Sequence, residues 1–282
     1  MRRLPVLEGL WYTELQEPGV AISLKCKSKL LEKNSDYQYI EVLDTEAFGR
    51  MLVLDGAIQT TIKDEFVYHE MISLVPLNTH PNPENVLVVG GGDGGAIREI
   101  AKHPKVKKAT LVDIDSAVIE TSKKYFPEIS SGLSDPKVEV RVEDGIKHIA
   151  DSKGRYDVII VDSTDPVGPA VGLYQKEFYE GIFDALKDNG IFVAQTESPF
   201  LTDHLMKSVF QKVKSIFPIT KLYLAYVPTY PGGMWSFTMG SKNYDPEAID
   251  IKIIPNTNTR YYTPEIHKAA FVLPAFVQDL LK

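Results

Sequence analysis

From residue 86 onward the chain alternates short apolar runs with longer amphipathic stretches. The runs cover residues 86–89, 109–112, 138–142, 158–161 and 190–194. They are rich in β-branched residues, the pattern of strands buried on both faces. Between them, residues 116–125, 145–150, 178–186 and 203–216 carry helical periodicity, with Ser116 placed to cap the first. Residues 222–227 and 235–239 form two further strands joined without a helix. They are therefore expected to pair antiparallel at one edge of the sheet. Thr263-Pro264 is a cap followed by proline at a first helical position. The alternation predicts an α/β fold, a doubly wound and mostly parallel sheet with helices on both faces.

The first sixty residues have a different period. Ile22, Leu24 and Cys26 alternate with Ser23, Lys25 and Lys27, which predicts a half-buried strand and puts Cys26 on its packed face. Residues 37–43 predict a second strand. Residues 51–54, Asp55-Gly56 and residues 57–61 predict a tight hairpin. Asp64 is placed to cap a helix over 65–74, and His80-Pro81-Asn82-Pro83 breaks the pattern. The expected division is a small all-β domain over 1–62 and an α/β domain over 63–282.

Composition narrows the classes of function. The 282 residues include 38 acidic and 31 basic ones, for a net charge of -7. An acidic chain without a basic block argues against a nucleic-acid partner. No apolar run approaches bilayer length, which argues against a membrane partner. One cysteine permits no intrachain disulfide, and the start lacks a signal-peptide pattern. The expected location is the cytoplasm.

Candidate chemistry starts at Gly90-Gly91-Gly92-Asp93-Gly94-Gly95, directly after the first buried strand. Gly90, Gly92 and Gly95 have the spacing of a nucleotide-binding turn. Asp93 changes its meaning, because a carboxylate there repels a pyrophosphate and attracts a cation. The next strands also end in acid: Asp113 and Asp115, Glu143 and Asp144, Asp162 and Asp165. In an open α/β sheet those ends form the ligand rim. Asp113 follows the glycines at about the distance of a ribose-binding acid. Asp144-Gly145 offers an acceptor for an adenine amine and room for the ring, although Asp144 also fits a helix N-cap. The pattern leaves two classes open: a transferase joining a sulfonium nucleoside to an amine, and a non-catalytic binder of an adenosine compound. A dehydrogenase is disfavoured by Asp93. His80, His103, His148, His204 and His267 share no metal-ligand spacing and read as structural or surface residues, and no metal site is expected.

The glycine turn, Asp162-Ser163-Thr164-Asp165-Pro166-Val167-Gly168-Pro169-Ala170, Leu54-Asp55-Gly56-Ala57-Ile58-Gln59-Thr60-Thr61, Asp64-Glu65-Phe66-Val67-Tyr68-His69-Glu70-Met71 and Pro228-Thr229-Tyr230-Pro231-Gly232 together resemble the spermidine synthases, the polyamine aminopropyltransferases, in their bacterial form. The resemblance spans nearly the whole chain. It implies a Rossmann-like, methyltransferase-type sheet with a small N-terminal β domain. It implies transfer of an aminopropyl group from decarboxylated S-adenosylmethionine, a co-substrate rather than a cofactor, to putrescine. The products are spermidine and methylthioadenosine. Another acceptor such as agmatine, cadaverine or spermidine is the alternative. Asp162 matches the proton acceptor. Tyr68, His69, Asp93, Asp165, Tyr230, Gln59 and Gln195 match amine-site residues. Gln38, Gly90, Gly92, Asp113, Asp144, Gly145 and Pro169 match nucleoside contacts. Asp113 stands where many members have Glu, and His69 where animal members have Gln. The resemblance also implies a homodimer or homotetramer. Residues 166–173 are expected to form a mobile lid.

Overall fold

The computed structural model describes residues 8–164 and 168–282, without the side chains of residues 168 and 169. The chain begins with β1 (Leu10–Glu17), β2 (Val20–Asn34), β3 (Tyr39–Thr45), β4 (Gly49–Leu54) and β5 (Ala57–Thr61), an antiparallel sheet in sequence order. Asp55 and Gly56 both have positive φ, 48° and 87°. That is what a two-residue turn needs to follow the strand twist, and it pairs Leu54 with Ala57. Two elements depart from expectation. The strand expected over 22–27 is the middle of the 15-residue β2, which continues through two register irregularities. β1 lacks any apolar alternation because it is an edge strand with only Glu14 fully turned inward.

Cys26 packs with Leu24, Leu43, Met51, Val53 and Ile58 on one face of this sheet. The other face carries Ile40, Val42, Leu52 and Leu54, which bury against Val118, Phe126 and Ile129 of the α/β unit.

That unit follows as α1 (Glu65–Thr79), β6 (Asn85–Gly90), α2 (Gly95–Lys102), β7 (Lys108–Asp113), α3 (Ser116–Tyr125), α4 (Pro127–Ser130), β8 (Val138–Val142), α5 (Gly145–Ala150), β9 (Tyr156–Asp162), α6 (Lys176–Ala185), β10 (Leu186–Gln195), α7 (Asp203–Lys214), β11 (Ile219–Tyr226), β12 (Met234–Ser241), α8 (Pro264–Ala269) and α9 (Ala275–Leu280). Its seven-stranded sheet has the order β11-β12-β10-β9-β6-β7-β8. β11 and β12 are the expected antiparallel edge pair, with β12 inside and also antiparallel to β10. Alternate residues of the central strands enter two different cores. Val86, Val88, Val158 and Ile160 pack on one side, and Leu87, Val89, Ile159 and Val161 on the other. A strand covered on both faces must be apolar throughout, which is why these runs lack polar alternation.

Capping differs from expectation at two helices. Asp64 stands at the start of α1 but makes no capping bond. Its carboxylate instead accepts from Thr61 Oγ1 at 2.5 Å, Thr229 N at 3.1 Å and Thr229 Oγ1 at 2.8 Å. Asp115, one residue before Ser116, caps α3 by accepting from Ala117 N. α1 also runs past residue 74 and through Pro76, buried along almost its whole length. Among the described residues, no helix is long and apolar enough to cross a membrane.

From β6 the winding goes outward through β7 to β8, then returns to β9 on the opposite side of β6. The carboxyl ends of β6 and β9 therefore flank a topological switch point, where such sheets open a crevice. Gly90 pairs with Asp162 at this place.

Candidate active site

A cavity of about 320 Å³ opens at that switch point, between the rim of the seven-stranded sheet and β4, β5 and the loop before β3 of the smaller one. Gln38, Gln59, Tyr68, Gly90, Gly92, Asp93, Asp113, Asp144, Gly145, Asp162, Gln195 and Tyr230 all line it. His69 does not; it lies behind Asp93 at 2% exposure. Asp165 lies outside the described residues, as do Pro166 and Val167 of the expected lid and the side chain of Pro169. The remainder of that stretch, Gly168–Tyr174, forms a 3-10 helix.

The glycine turn fits its surroundings by absence of side chains. Gly90 has φ +81°, and a Cβ there would stand 2.2 Å from the Asp162 carbonyl oxygen. Any other residue would push β6 and β9 apart at the point where Asp162 enters the cavity. Gly92 donates its N–H to Asp113 Oδ2 at 2.9 Å. Asp113 Oδ1 accepts from Asp115 N at 2.8 Å. Burial still pushes the Asp113 carboxyl up to about 6, against those two donors.

Asp115, expected only as one of the rim acids, joins the two sheets. Its Oδ2 accepts from Ser35 Oγ at 2.6 Å and Gln38 Nε2 at 2.8 Å. Gln38 is thereby fixed beside Asp113. Asp144 Oδ1 caps α5 by accepting from Ile146 N at 2.8 Å. Gly145 also has a packing reason: a Cβ there would lie 2.5 Å from Val89 Cγ1. The glycine lets α5 close onto β6.

At the other end of the cavity, Tyr68 OH donates to Asp162 Oδ1 at 2.6 Å. Asp162 Oδ2 is buried without a hydrogen-bond partner among the described residues. Burial first, and then the negative charge of Asp93, push the Asp162 carboxyl up to about 6. Burial also holds the Tyr68 phenol well above its usual range, so it remains a neutral donor. Tyr230 OH donates to Gln59 O at 2.7 Å, and its ring meets Tyr68 and Trp235 at centroid distances of 5.4 and 4.8 Å. These rings make an aromatic wall suited to alkyl chains and ammonium groups.

Gln195 is buried, and all its polar atoms are engaged. Nε2 donates to Ser163 O and Tyr174 OH, and Oε1 accepts from Glu197 N. Tyr174 OH in turn donates to Thr164 O at 3.1 Å. Gln195 and Tyr174 thus hold the segment leaving Asp162. Tyr174 and Trp235 escaped the sequence reading, since each looks like an ordinary core aromatic. Glu65 gave a usable signal, because it stands four residues before His69 on one helix face.

His69 Nδ1 lies 2.6 Å from Glu65 Oε2, and Nε2 lies 3.2 Å from Asp93 Oδ2. Burial opposes a charge on this ring, but Asp93 and Glu65 outweigh it and hold the His69 pKa well above the ordinary value. Donor atoms of His69, Asp93 and Asp162 lie within 4.8 Å of one another. With both ring nitrogens engaged by carboxylates, the group is better arranged for an ammonium than for a metal ion. Cavity and acids together suit a nucleoside at the Gln38–Asp113–Asp144 end and a cationic chain at the Asp93–Asp162 end.

Two family models match the chain. The spermidine synthase tetramerisation domain matches residues 10–61, and the spermine/spermidine synthase domain matches residues 65–252. The polyamine aminopropyltransferase of Bacillus subtilis is 60% identical over 276 residues, covering 98% of this chain and all of its own. That of Caldicellulosiruptor bescii is 59% identical over 273 residues, 97% of this chain and 98% of its own. Among solved structures, a spermidine synthase in complex with the transition state analogue AdoDATO is 41% identical with a TM-score of 0.94, covering all of this chain and 98% of its own. The spermidine synthase from Thermotoga maritima is 40% identical with a TM-score of 0.93, covering all of this chain and 97% of its own.

Proposed function

The chain belongs to the spermine/spermidine synthase family, and from that premise we propose that it transfers the aminopropyl group of decarboxylated S-adenosylmethionine to putrescine, giving spermidine and methylthioadenosine. The observation that carries this reading is the half-buried Asp162, with one oxygen held by Tyr68 and the other buried and unpartnered among the described residues, beside an acidic and aromatic cavity wall.

Putrescine enters as an ammonium, with a pKa near the lysine reference of about 10.4. Asp162 at about 6 lies roughly four units lower, a gap of about 6 kcal/mol. Removing the ammonium from water narrows that gap, because desolvation disfavours the charged amine. Asp162 takes the proton as the nitrogen lone pair forms a bond to the methylene carbon beside sulfur. The carbon–sulfur bond breaks, its electrons quench the sulfonium charge, and neutral methylthioadenosine leaves. Tyr68 holds Oδ1, so the proton goes to Oδ2. Asp113 accepts the ribose hydroxyls, with Gln38 fixed beside it by Asp115. Asp144 Oδ2 accepts from the adenine amine while Oδ1 caps α5. Asp93 attracts the cationic ends of both substrates, and its partial neutralisation by His69 tempers that attraction. Decarboxylation of the donor removes a carboxylate that Asp93 would repel.

The match to a tetramerisation domain supports a homo-oligomer, and a tetramer over a dimer. Leu10, Leu15, Val20 and Leu30 on β1 and β2 are exposed in the single chain, and they supply the apolar contact.

An amine panel with decarboxylated S-adenosylmethionine, read by product mass, tests the acceptor. Putrescine is expected to give the highest kcat/KM. A higher value for agmatine, cadaverine or spermidine would reassign the acceptor, and no product with any amine would leave only an adenosine-compound binder.

A further inference from the structure

A row of alternating charges runs from the cavity wall to the protein surface. It starts at Asp93, passes through His69, Glu65, Arg98 and Glu99, and ends at Lys102. The middle of the row is shut off from water: His69, Glu65, Arg98 and Glu99 are 2%, 7%, 9% and 2% exposed. Arg98 donates to Glu65 through both terminal nitrogens, at 3.1 and 2.9 Å, and through Nε to Glu99 at 2.7 Å. Lys102 closes the row at Glu99.

We propose that Glu65 and Arg98 are positioning residues that lock His69 as a doubly donating imidazolium against Asp93, and that this fixed cation keeps Asp162 free of a proton. A neutral imidazole has one N–H and one lone pair. Both His69 nitrogens face carboxylate oxygens, so a neutral ring would set a lone pair against a carboxylate on one side. A proton on Glu65 would relieve that conflict, but the Arg98 guanidinium, donating to both Glu65 oxygens, holds that carboxylate ionised. The second proton therefore stays on His69. Crowding fixes the ring as well. A Cβ at Gly95 would stand 2.2 Å from His69 Cε1 and Nδ1, so α2 lies flush against the ring.

The groups facing the ring come from four places. Glu65 and Tyr68 are on α1, and Arg98 reaches it through Glu65 from α2. Asp93 is on the glycine turn, with its Oδ1 anchored by Gly95 N at 2.7 Å. Asp162 is at the end of β9. Asp162 itself also feels Asp113 at the end of β7. Among these, His69 is the cation within 4.8 Å of both Asp93 and Asp162. It opposes what burial and Asp93 do to Asp162. Without it, two neighbouring carboxylates would share a proton, as like-charged pairs do. With it, Asp93 stays an anion for the substrate and Asp162 stays an empty base.

The rate part of this inference rests on the aminopropyl transfer proposed above; the ring state does not. The test uses the full chain labelled with 15N-histidine, with the His69 signal assigned by its loss in His69→Gln. Its ring nitrogens are expected to stay doubly protonated from pH 6 to 9. In Glu65→Gln the ring should titrate within that range. The acid limb of the kcat pH profile should move up by roughly one unit in both variants, the usual effect of losing an opposite charge at this range. Should Glu65→Gln fail to fold, His69→Gln still reports the limb. A wild-type His69 that titrates between pH 6 and 9 overturns the inference, and so does a wild-type acid limb in His69→Gln. Failure to turn over any amine would refute the proposed reaction while leaving the ring state readable.

Discussion

Asp162 is a carboxylate placed where ionisation is costly, and that placement has a measurable consequence for stability. In the unfolded chain it titrates near 3.9; in the folded protein it is pushed up to about 6. The folded state therefore holds this proton more tightly than the unfolded one. Stability from this residue falls as pH rises from about 4 to about 6 and is then constant. Asp162→Asn removes the penalty and keeps Oδ1 as an acceptor for Tyr68. The variant is expected to melt at the wild-type temperature near pH 4 and above it at pH 7 and higher, by the equivalent of about 1–3 kcal/mol. Thermal scans across that range check this, and a Tm difference that does not grow with pH contradicts it. At this scale the sequence pointed to Asp93, Asp113, Asp144 and Asp162, which line the cavity, but also to Glu143, which pairs with His148 instead, to Asp115, which clasps Gln38, and to Asp165, which lies outside the described residues. It was silent on their partners. His69 was visible as a motif residue, yet its place behind Asp93 depends on Arg98 approaching from another helix, which no local pattern encodes.

The glycine turn between β6 and α2 was the most legible element, because a buried strand that ends in glycine can do few other things. Its ligand logic was legible too, through Asp93. The tightness was not. Gly90 is required by its positive φ and by the Asp162 carbonyl 2.2 Å from where a Cβ would stand. Asp162 of β9 lies 72 residues away in sequence, and only the fold brings it there. Gly90→Ala combines a left-handed backbone, costing about 1–3 kcal/mol for a non-glycine residue, with a collision against main chain that cannot rotate away. Tm should drop by at least several degrees at the roughly 2–4 °C per kcal/mol expected for a chain of this length. An unchanged Tm would show that the β6–β9 contact is looser than described. The capping expectation at α1 missed for a related reason: Asp64 is bound to a distant partner, Thr229. At α3 the cap is Asp115 rather than Ser116, through Oδ1, while its Oδ2 is bound to Ser35 and Gln38.

For the whole molecule, the α/β order and the antiparallel edge pair followed from strand runs and connection lengths. β1 did not, because an exposed edge strand has no face to bury. The two sheets meet through the apolar contact of Ile40, Val42, Leu52 and Leu54 with α3 and α4, and through the Asp115 clasp. The cavity lies between them, so the nucleoside end of the site depends on both. On the assembly proposed above, Leu15 of β1 and Leu30 of β2, exposed in the single chain, meet other copies of the chain. Light scattering should give four times the monomer mass for the wild type. Leu15→Asp, at a position 80% exposed in the single chain, should reduce that mass without lowering helix content. A wild-type monomer, or an assembly indifferent to this charge, contradicts the assignment.

The central claim is that Asp162 accepts the proton of the attacking amine. The most direct test measures kcat and methylthioadenosine affinity in Asp162→Asn at neutral pH. The expected result is a fall in kcat of roughly 10²- to 10⁴-fold, the usual span for loss of a general base. Nucleoside affinity should hardly change, because Gln38, Asp113 and Asp144 are untouched. A folded variant that keeps most of its kcat would remove Asp162 from the mechanism.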